Sequence, residues 1–299
     1  MKRNLPIVPS LCSLLFLLLC CVPALQAQTL DLRLKPAVGE KYSYFFDYQS
    51  EVFTDQGNLT MEVGMGLSLE VTGADGSNKL IKATYNRAVM KMDMGTNSMD
   101  IDTDQPKPAF DAANPMTVVA LLFHGLRGQS FTMTMSETGE LSNIAGFEKV
   151  VENMIDSAAG GGDVPEAMRQ GMRDGMSKQF NAESMKEQIQ QSFNIFSGKP
   201  VKVGDSWVKK LETHGAKNMK MTNTYTVQSI TAKEVLLSLR CVIDEITTEA
   251  NMTMNGTQEG TLVVDPKTGM LIRSEINQAL AGAGGSGMKI TGKSVTTRL

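Results

Sequence analysis

Two stretches of this chain, far apart in sequence, open in nearly the same way. Lys35-Pro36-Ala37-Val38-Gly39-Glu40-Lys41-Tyr42 matches Lys199-Pro200-Val201-Lys202-Val203-Gly204-Asp205-Ser206-Trp207, with one inserted residue. In each, a Val-Gly-acid turn delivers an aromatic residue that opens an extended segment. A similar order of amphipathic segments follows both. Internal similarity of this kind marks duplicated structural units, here two β halves of about 100 residues each. Whatever the chain folds into must supply two equivalent places where a strand begins.

The segments themselves carry period-two alternation, the mark of strands with one buried face. Tyr42, Tyr44, Phe46 and Tyr48 share a face, and so do Met61, Val63, Met65, Leu67 and Leu69. Gly64 and Gly66 leave the opposite face of the second strand bare, which favours a bend or a close backbone approach. The next strand begins with Ile81, Ala83 and Tyr85 on one parity and ends with Met90, Met92 and Met94 on the other. A one-residue bulge near Arg87–Met90 reconciles the two. Thr72–Asn78, Glu137-Thr138-Gly139-Glu140 and Asp265-Pro266-Lys267-Thr268-Gly269 are turns by composition. In the second half, Met219, Met221, Tyr225 and Val227 form one stripe, and Val235, Leu237, Leu239, Cys241 and Ile243 another. Ala281–Gly287 is Gly-rich and reads as a hairpin tip or loop.

Between the halves the period changes. Met168, Met172 and Met176 recur every four residues, which stacks them on one helix face. Asp163-Val164-Pro165-Glu166 has the form of a capping box. Helices are expected over about 146–158, from about 166, and after Asn181 with Met185, Ile189, Phe193 and Phe196 inward; Gly198 and Pro200 end the region. Asn114-Pro115 opens a shorter helix to His124, with Gly125 as its terminator. The fold class is therefore α+β, mainly antiparallel β. Two pseudo-repeated curved halves, forming an open barrel-like sheet, would carry a helical insertion on the concave face. The boundaries are 1–27, 28–145, 146–198 and 199–299, the last three making a single domain. The shape is like that of envelope lipoprotein carriers with an unclosed barrel, an analogy of fold alone.

Residues 1–27 read as a secretory signal peptide. Lys2 and Arg3 precede the apolar run Leu11–Val22, Pro23 breaks it, and Ala27 offers a small residue for cleavage. Leu19 is too bulky for a lipobox, so cleavage is preferred over lipidation at Cys20 or Cys21. The mature chain is then exported, periplasmic or extracellular, with no transmembrane span. It retains Cys241 alone among the cysteines, and so no internal disulfide. Its net charge moves from −3 to 27 − 32 = −5. A mildly acidic chain without a basic stripe is a poor nucleic-acid partner.

The exported start, Leu34-Lys35…Val38-Gly39-Glu40…Tyr42, the second opening through to Trp207, and Thr138-Gly139-Glu140-Leu141…Gly146 together resemble an uncharacterised family of secreted Bacteroidota proteins. The resemblance covers most of the mature chain. It implies export and a β-rich fold, and it implies no activity, cofactor or catalytic residue.

No catalytic constellation stands out. There is no G-x-S-x-G elbow and no H-E-x-x-H. His124 and His214 are read as structural or surface residues, His124 as a cation near a helix end. Asp100, Asp102 and Asp104 share a strand parity, but the EF-hand pattern fails, so they are read as a solvated strand end that resists edge pairing. Asn58, Asn251 and Asn255 begin glycosylation sequons, idle in a bacterial chain. Neither a metal nor a cofactor is expected. The unusual component is methionine, 21 against 11 Phe. Core-facing strands yield Met-x-Met automatically; thioethers can also hold Cu(I), or line a pocket for varied apolar ligands. The candidate lining residues are Met90, Met92, Met133, Met168, Met172, Met176 and Phe193. The functional expectation is an exported, non-enzymatic binding protein for an apolar or lipid-like ligand. The alternative is a structural or protein-interaction module of the cell envelope with a filled core, having an envelope protein as partner.

Overall fold

The computed structural model describes residues 29–54, 57–93, 95, 98–111, 114–160, 164–214, 217–248, 253–283 and 287–299. The proposed signal peptide, Met94, Asp163 and the sequon residue Asn251 lie outside the described residues. Twelve strands form one antiparallel sheet: β1 (Lys41–Thr54), β2 (Gly57–Asp75), β3 (Asn78–Asp93), β4 (Ser98–Asp102), β5 (Ser130–Met135), β6 (Leu141–Ala145), β7 (Ser206–His214), β8 (Lys217–Ile230), β9 (Val235–Thr248), β10 (Thr253–Val264), β11 (Leu271–Gly282) and β12 (Lys289–Arg298). Their order is β6-β5-β3-β2-β1-β12-β11-β10-β9-β8-β7, with β4 beside β3. Each half is a meander. The halves join where β1 runs against β12, from Tyr44 opposite Arg298 to Phe53 opposite Lys289. Strands β6 and β7 are the two edges, so the sheet is open.

The duplication holds down to single hydrogen bonds. Gly39 N–H donates to Val71 O at 2.8 Å and Val71 N–H to Glu40 O at 3.0 Å; Gly204 N–H donates to Val227 O at 2.9 Å and Val227 N–H to Asp205 O at 2.9 Å. The acid of each turn accepts from the backbone three residues earlier, Ala37 N–H to Glu40 Oε2 at 2.8 Å and Lys202 N–H to Asp205 Oδ2 at 3.0 Å. The glycines take matching conformations, φ 91° and 89°. A register shift follows at Val71/Gly73 in one half and at Val227/Ser229 in the other. Tyr42 then stands opposite Leu69, and Trp207 opposite Tyr225.

The segment leading into each half rests on a Thr-Gly turn of the other. Leu30 bridges to Val201. Leu34 N–H donates to Glu137 O of its own half at 2.8 Å, and Lys35 N–H to Thr268 O of the other half at 2.7 Å. Gly269, at φ 71°, lies so close to Arg33 that a Cβ there would collide with the Arg33 carbonyl oxygen. Gly139, at φ 79°, is likewise backed by the carbonyl of Phe193, in the segment that leads into the second half. Gln190 ties that contact twice, donating to Gly139 O at 2.9 Å and accepting from Leu141 N–H at 2.6 Å. Leu32, Leu34, Ile195, Phe196 and Val201 are buried between the two turns. This is the end of the sheet that holds the β2–β3, β5–β6, β8–β9 and β10–β11 turns. It is plugged. The opposite end has no such plug among the described residues.

Among the described residues, four helices accompany the first half: α1 (Pro115–Leu126), α2 (Phe147–Ala158), α3 (Glu166–Gln179) and α4 (Ala182–Phe193). Asn114 caps α1 by accepting from Met116 N–H, and Asn181 caps α4 by accepting from Ser184 N–H. Helix α2 buries Phe147, Val150, Met154 and Ile155, with Phe147 edge-on to Phe131 of β5 at 5.7 Å. Helix α3 is tied to α2 by Arg169–Asp156 at 2.8 Å and Arg173–Glu152 at 3.1 Å. The helices thus gather over β3–β6, to one side of the concave face. Three local expectations change. Gly125 does not end α1: the helix continues through it, because a bare Cα is what lets α1 approach the α2 backbone at Met154 and Asn153. The bulge in β3 falls at Asn86, between the pairs Gly66/Arg87 and Leu67/Tyr85, one residue ahead of the predicted stretch. Pro165, not Asp163, occupies the N-cap of α3. Opposite the helices, the Phe45 ring fills the strip that Gly64 leaves bare.

Replacing Gly139 or Gly269 by Ala combines a left-handed backbone penalty with overpacking against backbone. The expected cost is about 2–5 kcal/mol each. Gly171 and Gly175 face open space within α3, so Ala there should stabilise by up to about 1 kcal/mol each. Urea unfolding of the four variants checks both signs.

Candidate functional site

The concave face of the sheet changes character along its length. Near the plug it is sealed: Tyr44, Leu69, Ile81, Leu237, Leu262 and Val264 are buried. Further along the same face, Phe46, Tyr48, Val52, Met61, Val63, Met65, Met90, Met92 and Met99 are half-buried. Apolar side chains left half-covered on a concave surface are the usual lining of a small-molecule site. A cavity of about 720 Å³ lies at this end, lined by five three-residue runs centred on Ser50, Met61, Met92, Met99 and Gly292; the flanking positions of these runs include Glu51, Glu62, Asp93 and Asp100 with Lys91 and Lys293. Those five central residues form one register row across β1, β2, β3, β4 and β12.

The row continues into the second half. Gly292 stands opposite Gln278, Gln278 opposite Gln258, Gln258 opposite Cys241, Cys241 opposite Asn223, and Asn223 opposite Lys209. Gln258 donates to Gln278 Oε1 at 2.7 Å. The inner-face positions of the described strands hold no Asp or Glu. Burial pushes the Cys241 thiol up to about 11, with Asp244 adding to the shift. A thiol so placed is protonated and unreactive at neutral pH.

Of the residues singled out from the sequence, Met90 and Met92 reach the half-buried part of this face, and Met92 lines the cavity. Met133 and Met176 are buried in the core; Met172 and Phe193 are half-buried against it; Met168 is 44% exposed on α3. Met61 and Met99 are cavity residues that the candidate set lacks. Met61 was legible as an inward position, but Met99 sits on a five-residue strand too short for a periodicity signal. A second crevice, about 360 Å³, separates α2 from α3 beside Phe147, Val151 and Phe180, and none of the candidate residues lines it.

Within the acidic run, Asp102 and Asp104 form an ion-pair knot. Asp102 accepts from Arg87 Nε at 3.0 Å and Nη2 at 2.6 Å, while Asp104 pairs with Arg87 at 3.2 Å and Arg127 at 3.0 Å. The Arg87 hydrogen bonds hold the Asp102 carboxyl down at about 2. His124 lies in the last turn of α1, but burial, with Lys107 and Arg127 nearby, lowers its affinity for a proton. Its expected role as a cation at the helix end is therefore not what the surroundings favour. Among the described residues, no group of three or more His, Cys, Asp or Glu gathers as a metal site, and no helix is long and apolar enough to cross a membrane.

A model of the family of unknown function DUF6263 matches residues 76–271. The chain belongs to that family. The matched span of this DUF6263 protein runs from the β2–β3 turn to the first residue of β11, so it takes in the helices and both Thr-Gly turns. No curated protein matches the chain. Among solved structures, one described as lipid–protein interactions in lipovitellin is similar over 88% of this chain and 25% of its own, at 9% identity and a TM-score of 0.46. The chain thus spans a quarter of that protein's length. The β domain of the Bordetella autotransporter BrkA is similar over 86% of this chain and 98% of its own, at 7% identity and a TM-score of 0.26. A DUF1329 family protein from Desulfovibrio piger is similar over 86% and 85%, at 7% identity and a TM-score of 0.19.

The depressed Asp102 carboxyl contributes stability above its unfolded pKa of about 4, and that contribution disappears as pH falls through about 2. For a pair open to solvent the effect is on the order of 1 kcal/mol. Asp102→Asn should therefore lose less stability than the parent chain between pH 4 and pH 2, measured by urea midpoints at each pH.

Proposed function

We propose that this protein is an exported, non-enzymatic binding protein whose ligand is apolar or lipid-like and lies against the unplugged end of the concave face. The single observation that carries this reading is the gradient along one sheet face, buried at Tyr44 and Leu69 and half-buried at Tyr48, Met61, Met92 and Met99 beside the cavity. Covering such surface gains about 25 cal/mol per Å². Methionine suits a ligand of varied shape, because its unbranched thioether repacks at little cost. Export is supported by the pattern of residues 1–27: a positive start, an apolar run of sub-membrane length, and a small residue at the cut.

The test is titration of the mature chain with an environment-sensitive apolar dye, together with native mass spectrometry after mild purification. Met61→Glu and Met92→Glu place a charge on the half-buried row and should weaken dye binding at least tenfold. Met168→Glu, on the exposed side of α3, should leave it unchanged. No dye binding and no co-purifying ligand would instead favour a filled interaction module.

A further inference from the structure

The duplicated halves differ at one place in a way that folding alone does not explain. Superposing one Val-Gly-acid opening on the other puts Tyr42, Leu69 and Ala83 against Trp207, Tyr225 and Leu239, register row for register row. The next row is Tyr44, Leu67 and Tyr85 in the first half, and Lys209, Asn223 and Cys241 in the second. In the first half this row is ordinary core: Tyr44 and Tyr85 are buried, and the Tyr44 hydroxyl donates to Leu271 O at 2.8 Å. In the second it is polar and unsatisfied. Asn223 is 7% exposed, and its Oδ1 has no hydrogen-bond partner among the described residues. Its Nδ2 has only the weak sulfur acceptor of Met221, at 3.9 Å, and the neighbouring Tyr225 hydroxyl.

Lys209 stands opposite Asn223, about 5 Å away across the strand pair. Trp207 and Leu211, two residues to either side, both pack on the core, so the lysine points the same way. It is half-buried, and its ammonium makes no ion pair or hydrogen bond with any described residue. Arg298, another cation on this face, is occupied by Asp265 at 3.8 Å and by the Tyr42 ring. Among the described residues no carboxylate stands on an inner-face position, and none pairs with Lys209.

Resting on the binding reading above, we propose that the ligand is an anionic amphiphile, its head held by Lys209 and Asn223 and its apolar part laid on the concave face. A carboxylate or phosphate head would supply the missing counter-charge, accepting from the Lys209 ammonium, which in that position can also donate to the orphan Asn223 oxygen. The apolar part has two kinds of neighbour. Leu211, Met219 and Met221 adjoin the head, and the row through Gln258, Gln278 and Ser50 leads on to Met61 and Met92. An inward charge on an edge strand also deters edge-to-edge pairing. That role accounts for Lys209 but not for Asn223, which lies one strand in.

The experiment compares a fluorescent polyunsaturated fatty acid with its uncharged methyl ester, each titrated into the mature chain and into Lys209→Glu. The glutamate keeps an inward charge on the edge strand, so solubility is preserved while the sign is reversed. The parent chain should bind the acid at least tenfold more tightly than the ester. Lys209→Glu should lose at least tenfold for the acid and stay within twofold for the ester. Asn223→Leu restores the residue type of the first half; it should melt no lower than the parent and bind the acid more weakly. Equal affinity for acid and ester, unchanged in Lys209→Glu, would overturn the head-group assignment and leave the apolar site standing. Binding of neither probe would overturn both. A lysophospholipid competing with the acid would mark a phosphate head as the alternative source of the same charge.

Discussion

The sheet depends on a mutual clasp. Each half is preceded by a segment seated on the Thr-Gly turn of the other half: the extended Arg33–Lys35 on Gly269, and Phe193, the last residue of α4, on Gly139. A flat antiparallel sheet of this width would expose both faces and bury too little apolar surface to offset chain entropy. Drawing the two turns onto two strips of backbone pulls opposite parts of the sheet toward each other. The apolar parities of β1–β3 and β8–β10 then share one core with Leu32, Leu34, Phe196 and Val201. The clasp is reciprocal, so neither half completes its buried end alone.

That geometry explains why the two ends of the face differ. The clasp lies at the end where each half begins and where four inter-strand turns gather, and side chains fill it. Strands of up to 19 residues (β2) carry the sheet well beyond the plug. There the inward parity goes on alternating, and half-buried apolar residues persist without a second layer to cover them. The helices do not supply that layer. They gather over β3–β6, bound by Phe147 on Phe131 and by the α2–α3 ion pairs.

Much of this was legible in the residues. Period two placed the inward faces of β1, β2, β8 and β9 correctly, since alternation is a direct consequence of strand geometry. The paired Val-Gly-acid motif identified the equivalent strand openings, because a left-handed Gly followed by a bonded acid is a local device that leaves a local trace. Three things were not legible, each because it is set by a distant partner. Gly125 looked like a helix stop, yet its role is decided by the α2 backbone. The Thr-Gly turns read as ordinary hairpins, and nothing local tells that another segment's carbonyl lies against them. The site candidates were split between strand methionines, of which Met92 lines the cavity, and helix methionines, which do not; Met99 was found only through strand register. Amphipathic spacing shows which face turns inward but not how far that face is covered.

The register also separates what the fold needs from what it tolerates. At the row after the opening aromatic, the first half uses Tyr44, Leu67 and Tyr85, and this satisfies the same backbone geometry that holds Lys209, Asn223 and Cys241 in the second. A buried polar atom without a partner costs roughly 1–3 kcal/mol, a sizeable part of the roughly 5–15 kcal/mol by which a typical domain is stable. An apolar residue at position 223 would avoid that cost, as Leu67 does in its own half. Edge protection gives the fold a reason for Lys209 but none for Asn223, whose oxygen stays without a partner among the described residues. The polar end of a ligand, under the proposal made above, is what would give the whole row one role.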